Sequence, residues 1–182
     1  AKIDGVIFHL NRVKSVSEKL NSVVIDFDKS SSKYDAVVIA AGISSVGLAE
    51  SLGDVLPITA ERGYNITVPS SNIDIDIPIV FADRGIVATN LTSGLRIGGW
   101  AEYANANRPV NQHYFKSIAR ISQELFPGLS ISNAKYWMGS RPSTPDSVPV
   151  ISKSSKMDRV FYNCGHGHYG LTHAATSAKL LC

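Results

Sequence analysis

Gly165-His166-Gly167-His168-Tyr169-Gly170 follows an apolar run, Arg159 to Cys164, and opens directly into the helical pattern that closes the sequence. Its spacing is formally G-x-G-x-x-G, the signature of a loop that brings backbone amides against a dinucleotide pyrophosphate at a helix N-terminus. A working copy needs a further strand and an acidic residue about 20 positions on, for a ribose hydroxyl. Neither follows before Cys182. The stretch is therefore read as a more general ligand-facing loop. Glycines permit close backbone approach, and the helix start offers unpaired amides and the positive end of a dipole. A flat, electron-rich group suits that mouth.

Working outward, the start of the sequence reads as a small meander of three strands: Gly5 to His9, Val13 to Lys19, and Ser22 to Phe27, with Asn21-Ser22 at the second turn. Tyr34 to Ala40 is continuously apolar, which predicts a strand buried on both faces of a mostly parallel sheet. After Ala41-Gly42, Ser44 or Ser45 caps a short helix that Gly53 stops. Between Pro57 and Tyr103 short β-type runs alternate with Pro, Gly, Asn and Ser, which predicts an antiparallel sheet. Val110, Tyr114, Ile118, Ile121 and Leu125 then mark one long helix lying on that sheet, ended by Pro127-Gly128. A strand Lys135 to Met138, a turn segment Arg141 to Pro149, the strand to Cys164 and a final helix follow. That helix carries Leu171, Ala174, Ala175, Ala178 and Leu181 along one side. The expected fold class is α+β, α/β in part, in segments 1–54, 55–138 and 139–182.

Composition narrows the function classes. The 182 residues are 44% hydrophobic, enough for one sizeable core or two small ones. A net charge of +3 comes from 18 basic and 15 acidic residues scattered along the chain, so the stripe that a nucleic-acid backbone requires is missing. The longest unbroken apolar stretch, Ala36 to Ala41, is far short of the roughly 20 residues that span a bilayer. Two cysteines, Cys164 and Cys182, and no signal peptide give no disulfide framework; the expectation is a soluble, cytosolic protein. With Ala1 at the start inside a strand-like run, the chain is expected to be a piece of something longer.

Arg141 is the first candidate for chemistry. In Gly139-Ser140-Arg141-Pro142-Ser143-Thr144-Pro145-Asp146, prolines stiffen the backbone directly after a guanidinium, a mount suited to bidentate capture of a carboxylate. The competing reading pairs Arg141 with Asp146 inside its own turn. His166, His168 and His173 raise a metal site, but no Cys, Asp or Glu cluster lies close in sequence to complete the shell, so no metal is expected. Local hydrogen bonding, or contact with a cofactor or substrate, are the alternatives for these histidines. No G-x-S-x-G elbow occurs, and Gly42-Ile43-Ser44-Ser45-Val46-Gly47 has the wrong spacing for a serine hydrolase. Tyr64, Tyr103 and Trp137 read as core or pocket wall.

Taken in order, Tyr34 to Gly42, Glu61-Arg62-Gly63-Tyr64, Leu95 to Glu102, Arg141 to Asp146 and Gly165-His166-Gly167 resemble the D-amino acid oxidase and glycine oxidase superfamily of flavoenzymes, its D-amino acid dehydrogenase branch in particular. The match extends over nearly the whole sequence. "AAG" and "GHG" are weak alone; five motifs in the right order are specific for the superfamily, less so for a substrate.

The resemblance implies an FAD-binding Rossmann-like part built from 1–54 and 139–182, and a mixed or antiparallel-sheet substrate domain at 55–138. It implies FAD as cofactor in the full-length protein, contacted by Val13 near adenine, by Ala40, Ala41 and Gly42, and by Gly165, His166, Gly167, His168, Tyr169, Gly170, Leu171 and Thr172 at the flavin. It assigns Arg141 to the substrate carboxylate, with Tyr64 and Tyr103 as pocket residues. His168 stands where glycine oxidase has an arginine near the substrate, and Ser147 where a glycine is usual, which implies a differently shaped turn. The implied reaction oxidises a D-amino acid or glycine-like amine at its α-carbon, hydride passing to flavin N5; water then turns the imino acid into a 2-oxo acid and ammonia. Because no segment before residue 165 reads as a pyrophosphate cradle, the chain is expected to be an inactive C-terminal half that binds no FAD by itself, its missing half a partner. The full-length protein is expected to be cytoplasmic, peripheral on the inner membrane. The alternatives are a non-catalytic module that self-associates through an exposed sheet edge, and a histidine-based metal hydrolase.

Overall fold

The computed structural model describes residues 5–181. Strands β1 (Val13–Lys19), β2 (Ser22–Phe27), β3 (Ser31–Tyr34) and β4 (Val37–Ile39) precede a 3-10 turn at Gly42–Ser44 and helix α1 (Ser45–Ser51). Next come β5 (Thr59–Val68), β6 (Ile79–Phe81), β7 (Ile86–Leu91), β8 (Gly94–Ala104) and α2 (Gln112–Leu125). The chain ends through β9 (Lys135–Ser143), β10 (Val150–Lys153), β11 (Val160–Cys164) and α3 (Gly170–Leu181). These elements form two units, Ala1–Ile58 with Thr144–Cys182, and Thr59–Ser143. Each has its own core, and the fold is α+β. The crossings lie at 58/59 and 143/144 rather than 54/55 and 138/139. Position 138 is no boundary because β9 pairs with β5 without interruption from Lys135 to Ser143.

The first unit contains two three-stranded sheets. One is the antiparallel meander β1-β2-β3; in the other, β10-β11-β4, β11 runs antiparallel to β10 and parallel to β4. Val16, Val23, Ile39, Leu52, Leu56, Val160 and Tyr162 build the core. Val23 and Val160 are sealed from solvent, each contributing about 1.5–3 kcal/mol.

Two expectations fail here. Gly5 to His9 forms no strand: Val6, Ile7 and Phe8 are exposed, and the run joins no ladder among the described residues. Apolar alternation by itself does not satisfy backbone amides. The third meander strand is instead the polar β3, which hydrophobic patterning cannot reveal. The run Tyr34 to Ala40 divides between β3 and β4 at a bend, and the sheet that β4 joins is mixed rather than mostly parallel, with Val38 half exposed. Among the described residues of α3 Ser177 is buried, while Leu171 and Leu180 face outward.

Asp54, just past α1, ties this unit together. Burial raises its pKa, but hydrogen bonds from the hydroxyls of Ser154, Ser155 and Tyr162 and from the Ser155 amide more than offset that, holding it down to about 2. Burial and the Asp54 charge push Tyr162 up to about 12.

The second unit is an antiparallel sheet ordered β6-β7-β8-β5-β9, with α2 packed on one face. Period-two alternation sends Tyr64, Ile66 and Val68 of β5 into the core beneath Phe115, Ile118, Ala119 and Ile121 of α2. Val110, expected on that stripe, lies outside the helix and is exposed. Asn111 caps α2, its side chain accepting from the His113 amide at 3.1 Å. Under this cap lies a sealed polar knot. Arg62, fully buried, stands 3.3 Å from Glu102 and donates to the Pro109 carbonyl at 3.1 Å, while the Tyr64 hydroxyl donates to Glu102 at 2.7 Å.

Candidate functional site

The opposite face of the second unit's sheet is built differently. Glu61, Gly63 and Asn65 of β5 point there, directly across the ladder from Arg141, Gly139 and Trp137 of β9. On the other flank Tyr103 and Ala101 of β8 stand across from Glu61 and Gly63. The paired glycines leave a trough that two large side chains cross. A Cβ on Gly63 would lie 2.3 Å from Arg141 Nη1, and one on Gly139 would lie 2.2 Å from the Trp137 ring. The guanidinium and the indole therefore lie flat over glycine, and both remain open to solvent, Arg141 at 35%. Glu61 Oε1 is 3.7 Å from Arg141 Nη1, and the Ser143 hydroxyl donates to Glu61 Oε2 at 2.8 Å. Asn65 Oδ1, on the same face, is buried without a hydrogen-bond partner among the described residues.

Arg141 thus sits in an edge strand and not, as expected, in a turn. Proline is tolerated next to it because an edge strand can omit a ladder amide. Asp146 does not pair with it: its carboxylate accepts from the Val148 amide at 3.0 Å. Ser147 adopts φ 61°, the left-handed conformation a glycine takes freely. Tyr103 lies on the open face and is 69% exposed. Tyr64 does not, contrary to expectation. It is stacked on Tyr114 at 4.6 Å within the core, and burial with the bond to Glu102 raises its pKa. Glu61 was not singled out in the sequence, although the alternation that buries Arg62 and Tyr64 already puts Glu61 and Gly63 on the other face.

In the first unit, the parallel register of β4 and β11 sends Ala40-Ala41-Gly42 and Gly165-His166-Gly167 out of the sheet at the same end, its carboxyl end. Ligands of open α/β sheets bind at that end. Gly42 (φ 58°) has open space where a Cβ would be, and Gly167 has φ 53°. Ala40 and Ala41 are exposed, and the Ala41 amide donates to the buried Ser45 hydroxyl at 3.0 Å. Ser45, not Ser44, thus supplies the side-chain bond at this helix start. Burial pushes the Cys164 thiol up, against the lowering effect of its bond to Ser45, which leaves it an inert core residue.

α3 starts at Gly170, so the amides of Gly170, Leu171 and Thr172 have no carbonyl partner within the helix. The His166 ring meets the Ser177 hydroxyl at 2.8 Å, and His173 stacks on Tyr169. Burial, then the neighbouring His173, lowers the His166 pKa. His168 is exposed beside Tyr169. No cluster of three or more His, Cys, Asp or Glu capable of holding a metal occurs among the described residues, which leaves the metal-hydrolase alternative without a ligand set. Val13 lies in the other sheet of this unit, at an irregularity in the β1–β2 ladder.

The sequence matches the DAO family, FAD dependent oxidoreductase, over residues 1–182. It is 34% identical over 181 residues to D-amino acid dehydrogenase of Neisseria meningitidis serogroup C (strain 053442), covering 97% of this chain and 43% of that protein. The chain therefore spans less than half the length of this relative. Glycine oxidase from Geobacillus kaustophilus superposes with a TM-score of 0.77 at 21% identity, over 96% of this chain and 47% of that one. Dithionite-reduced L-α-glycerophosphate oxidase from Mycoplasma pneumoniae, with FAD bound, superposes at 0.73 and 19% identity, over 94% of this chain and 49% of that one. The strand-end loops of one unit and the arginine-bearing sheet face of the other are thus set in a fold shared with flavoproteins, and the chain belongs to the FAD dependent oxidoreductase (DAO) family.

Proposed function

We propose that this chain supplies the substrate-carboxylate face and one side of the flavin site of an FAD-dependent amino acid dehydrogenase or oxidase. The observation that carries the reading is Arg141 laid across Gly63 on an open, aromatic-flanked sheet face. A guanidinium held flat presents two parallel N–H donors to a planar carboxylate, a geometry lysine does not offer. Gly63 is what permits the pose.

The first unit's loops fit a flavin nucleotide. Ala40 to Gly42 would lie along it, and the amides of Gly170, Leu171 and Thr172 would face it from the mouth of α3, where the helix dipole favours negative charge. FAD supplies the two-electron acceptor for oxidation of the substrate at its α-carbon. The chain's own residues bind and orient: Gly63 and Gly139 let the guanidinium and the indole lie flat on the sheet, and from there Arg141 fixes the carboxylate. Water then converts the imino acid released into a 2-oxo acid and ammonia. Amine oxidation of this kind depends more on placement than on a dedicated base: once the bound ammonium has given a proton to water, the neutral amine supports departure of hydride from its own carbon.

Trp137 provides a built-in reporter. Titrating the protein with D-alanine should shift the Trp137 indole resonance and leave that of Trp100, which donates to the Arg84 carbonyl at 2.9 Å, in place. Arg141→Ala should weaken D-alanine binding at least about tenfold, and Arg141→Lys should restore only part of it. Unchanged affinity in Arg141→Ala would remove the arginine from this role.

A further inference from the structure

The open sheet face carries two charges where carboxylate capture needs one. Glu61 stands directly across the β5–β9 ladder from Arg141, at 3.7 Å, and is itself held by the Ser143 hydroxyl. Its side chain is only 11% exposed. An acid in that place costs desolvation and weakens the pull of Arg141 on a simple anion. Shape alone does not explain it, since an apolar side chain would fill the position without opposing the arginine.

We infer that Glu61 is a specificity-determining residue that makes this face select zwitterions: Arg141 takes the carboxylate of an α-amino acid and Glu61 attracts its ammonium group. This rests on the reading of Arg141 above and adds to it the discrimination of amines from alcohols, which the fold does not make. Opposed charges on directly paired residues have Cβ atoms about 4.5–5.5 Å apart. They therefore present one positive and one negative pole at the scale of a single small zwitterion. An alcohol acid offers nothing to the negative pole, and a phosphorylated alcohol with two negative charges is repelled by it. Tyr103 stands across the ladder from Glu61 on β8. Arg62, by contrast, has no exposed side-chain surface and meets Glu102 beneath α2.

The test compares two probes that differ in ammonium against hydroxyl. Purified 182-residue protein is titrated with D-alanine and with D-lactate, followed at the Trp137 resonance. The unaltered protein should prefer D-alanine by at least about tenfold, the scale of one charge-assisted contact. Glu61→Gln should bring that preference to within about twofold, chiefly through tighter D-lactate binding, because the opposing charge is gone and the shape is kept. Ser143→Ala, which only loosens Glu61, should give an intermediate ratio. If Glu61→Gln does not fold, an unchanged ratio in Ser143→Ala overturns the inference. If Arg141→Ala abolishes binding of both probes while Glu61→Gln keeps the full preference, Glu61 has no part in selection and the reading of Arg141 survives. Equal binding of both probes to Arg141→Ala and to the unaltered protein defeats the Arg141 reading itself, as does failure of the unaltered protein to bind either.

Discussion

Arg62 on β5 and Arg141 on β9 are carried by adjacent strands of one sheet, and each faces a glutamate, Glu102 at 3.3 Å and Glu61 at 3.7 Å. Arg62 points under α2 and is fully buried, whereas Arg141 points away from the helix and keeps about a third of its side chain exposed. Burial removes water from the first pair and makes every missing partner expensive; Nε of Arg62 finds no hydrogen-bond acceptor among the described residues. Such an arginine has no freedom to receive a ligand. Each arginine has a glutamate partner, Glu102 having Arg108 at 3.4 Å as a second cation, and the face of the sheet separates the buried arginine from the one open to a ligand.

The largest effect should come from breaking the sealed pair. Glu102→Gln leaves the Arg62 charge uncompensated inside the core, which should destabilise the protein by about 3–5 kcal/mol in chemical denaturation. A loss below about 1 kcal/mol would mean that Arg62 is hydrated and the contrast with Arg141 is false. Asp54 extends the comparison to a buried charge held by neutral donors. Its folded pKa of about 2 lies below the ordinary 3.8, so its contribution is present in full above about pH 4 and disappears as pH falls toward 2. Asp54→Asn should cost about 2 kcal/mol at neutral pH and flatten the stability profile across that acid window. A variant that still shows the wild-type acid slope would assign that slope to other carboxylates.

The long helix and the antiparallel sheet were legible because their hydrophobic periods are strong: Ile118, Ile121, Tyr64 and Ile66 each fall where patterning puts them. β3 was not, since Ser31, Ser32 and Lys33 carry no apolar alternation and their strand exists only because β2 offers a ladder. Gly5 to His9 failed for the converse reason, an apolar run that joins no ladder among the described residues. At the site, Arg141 and the Gly165 loop could be singled out by residue chemistry. Its neighbours could not, because Glu61 lies 80 positions before Arg141 and the two meet only through strand register.

Two further substitutions probe the open face itself. Arg141→Ala should change stability by less than about 1 kcal/mol, since a partly exposed ion pair contributes little, while carboxylate binding is lost. That split between stability and binding is the reverse of the one expected for Glu102→Gln, and its absence would place Arg141 among the structural arginines. The smallest effect on stability belongs to Gly63→Ala. Gly63 lies in ordinary extended backbone, so the new methyl brings no conformational strain, and alanine even reduces the freedom of the unfolded chain. What the methyl meets at 2.3 Å is the far end of the Arg141 side chain, which can swing aside. The fold should therefore be nearly indifferent. The guanidinium, however, can no longer lie flat across the trough, and D-alanine affinity should fall about tenfold with little change in melting temperature. A Gly63→Ala protein that binds as well as the parent would show that the flat pose is incidental and that Arg141 works equally well from elsewhere on the face.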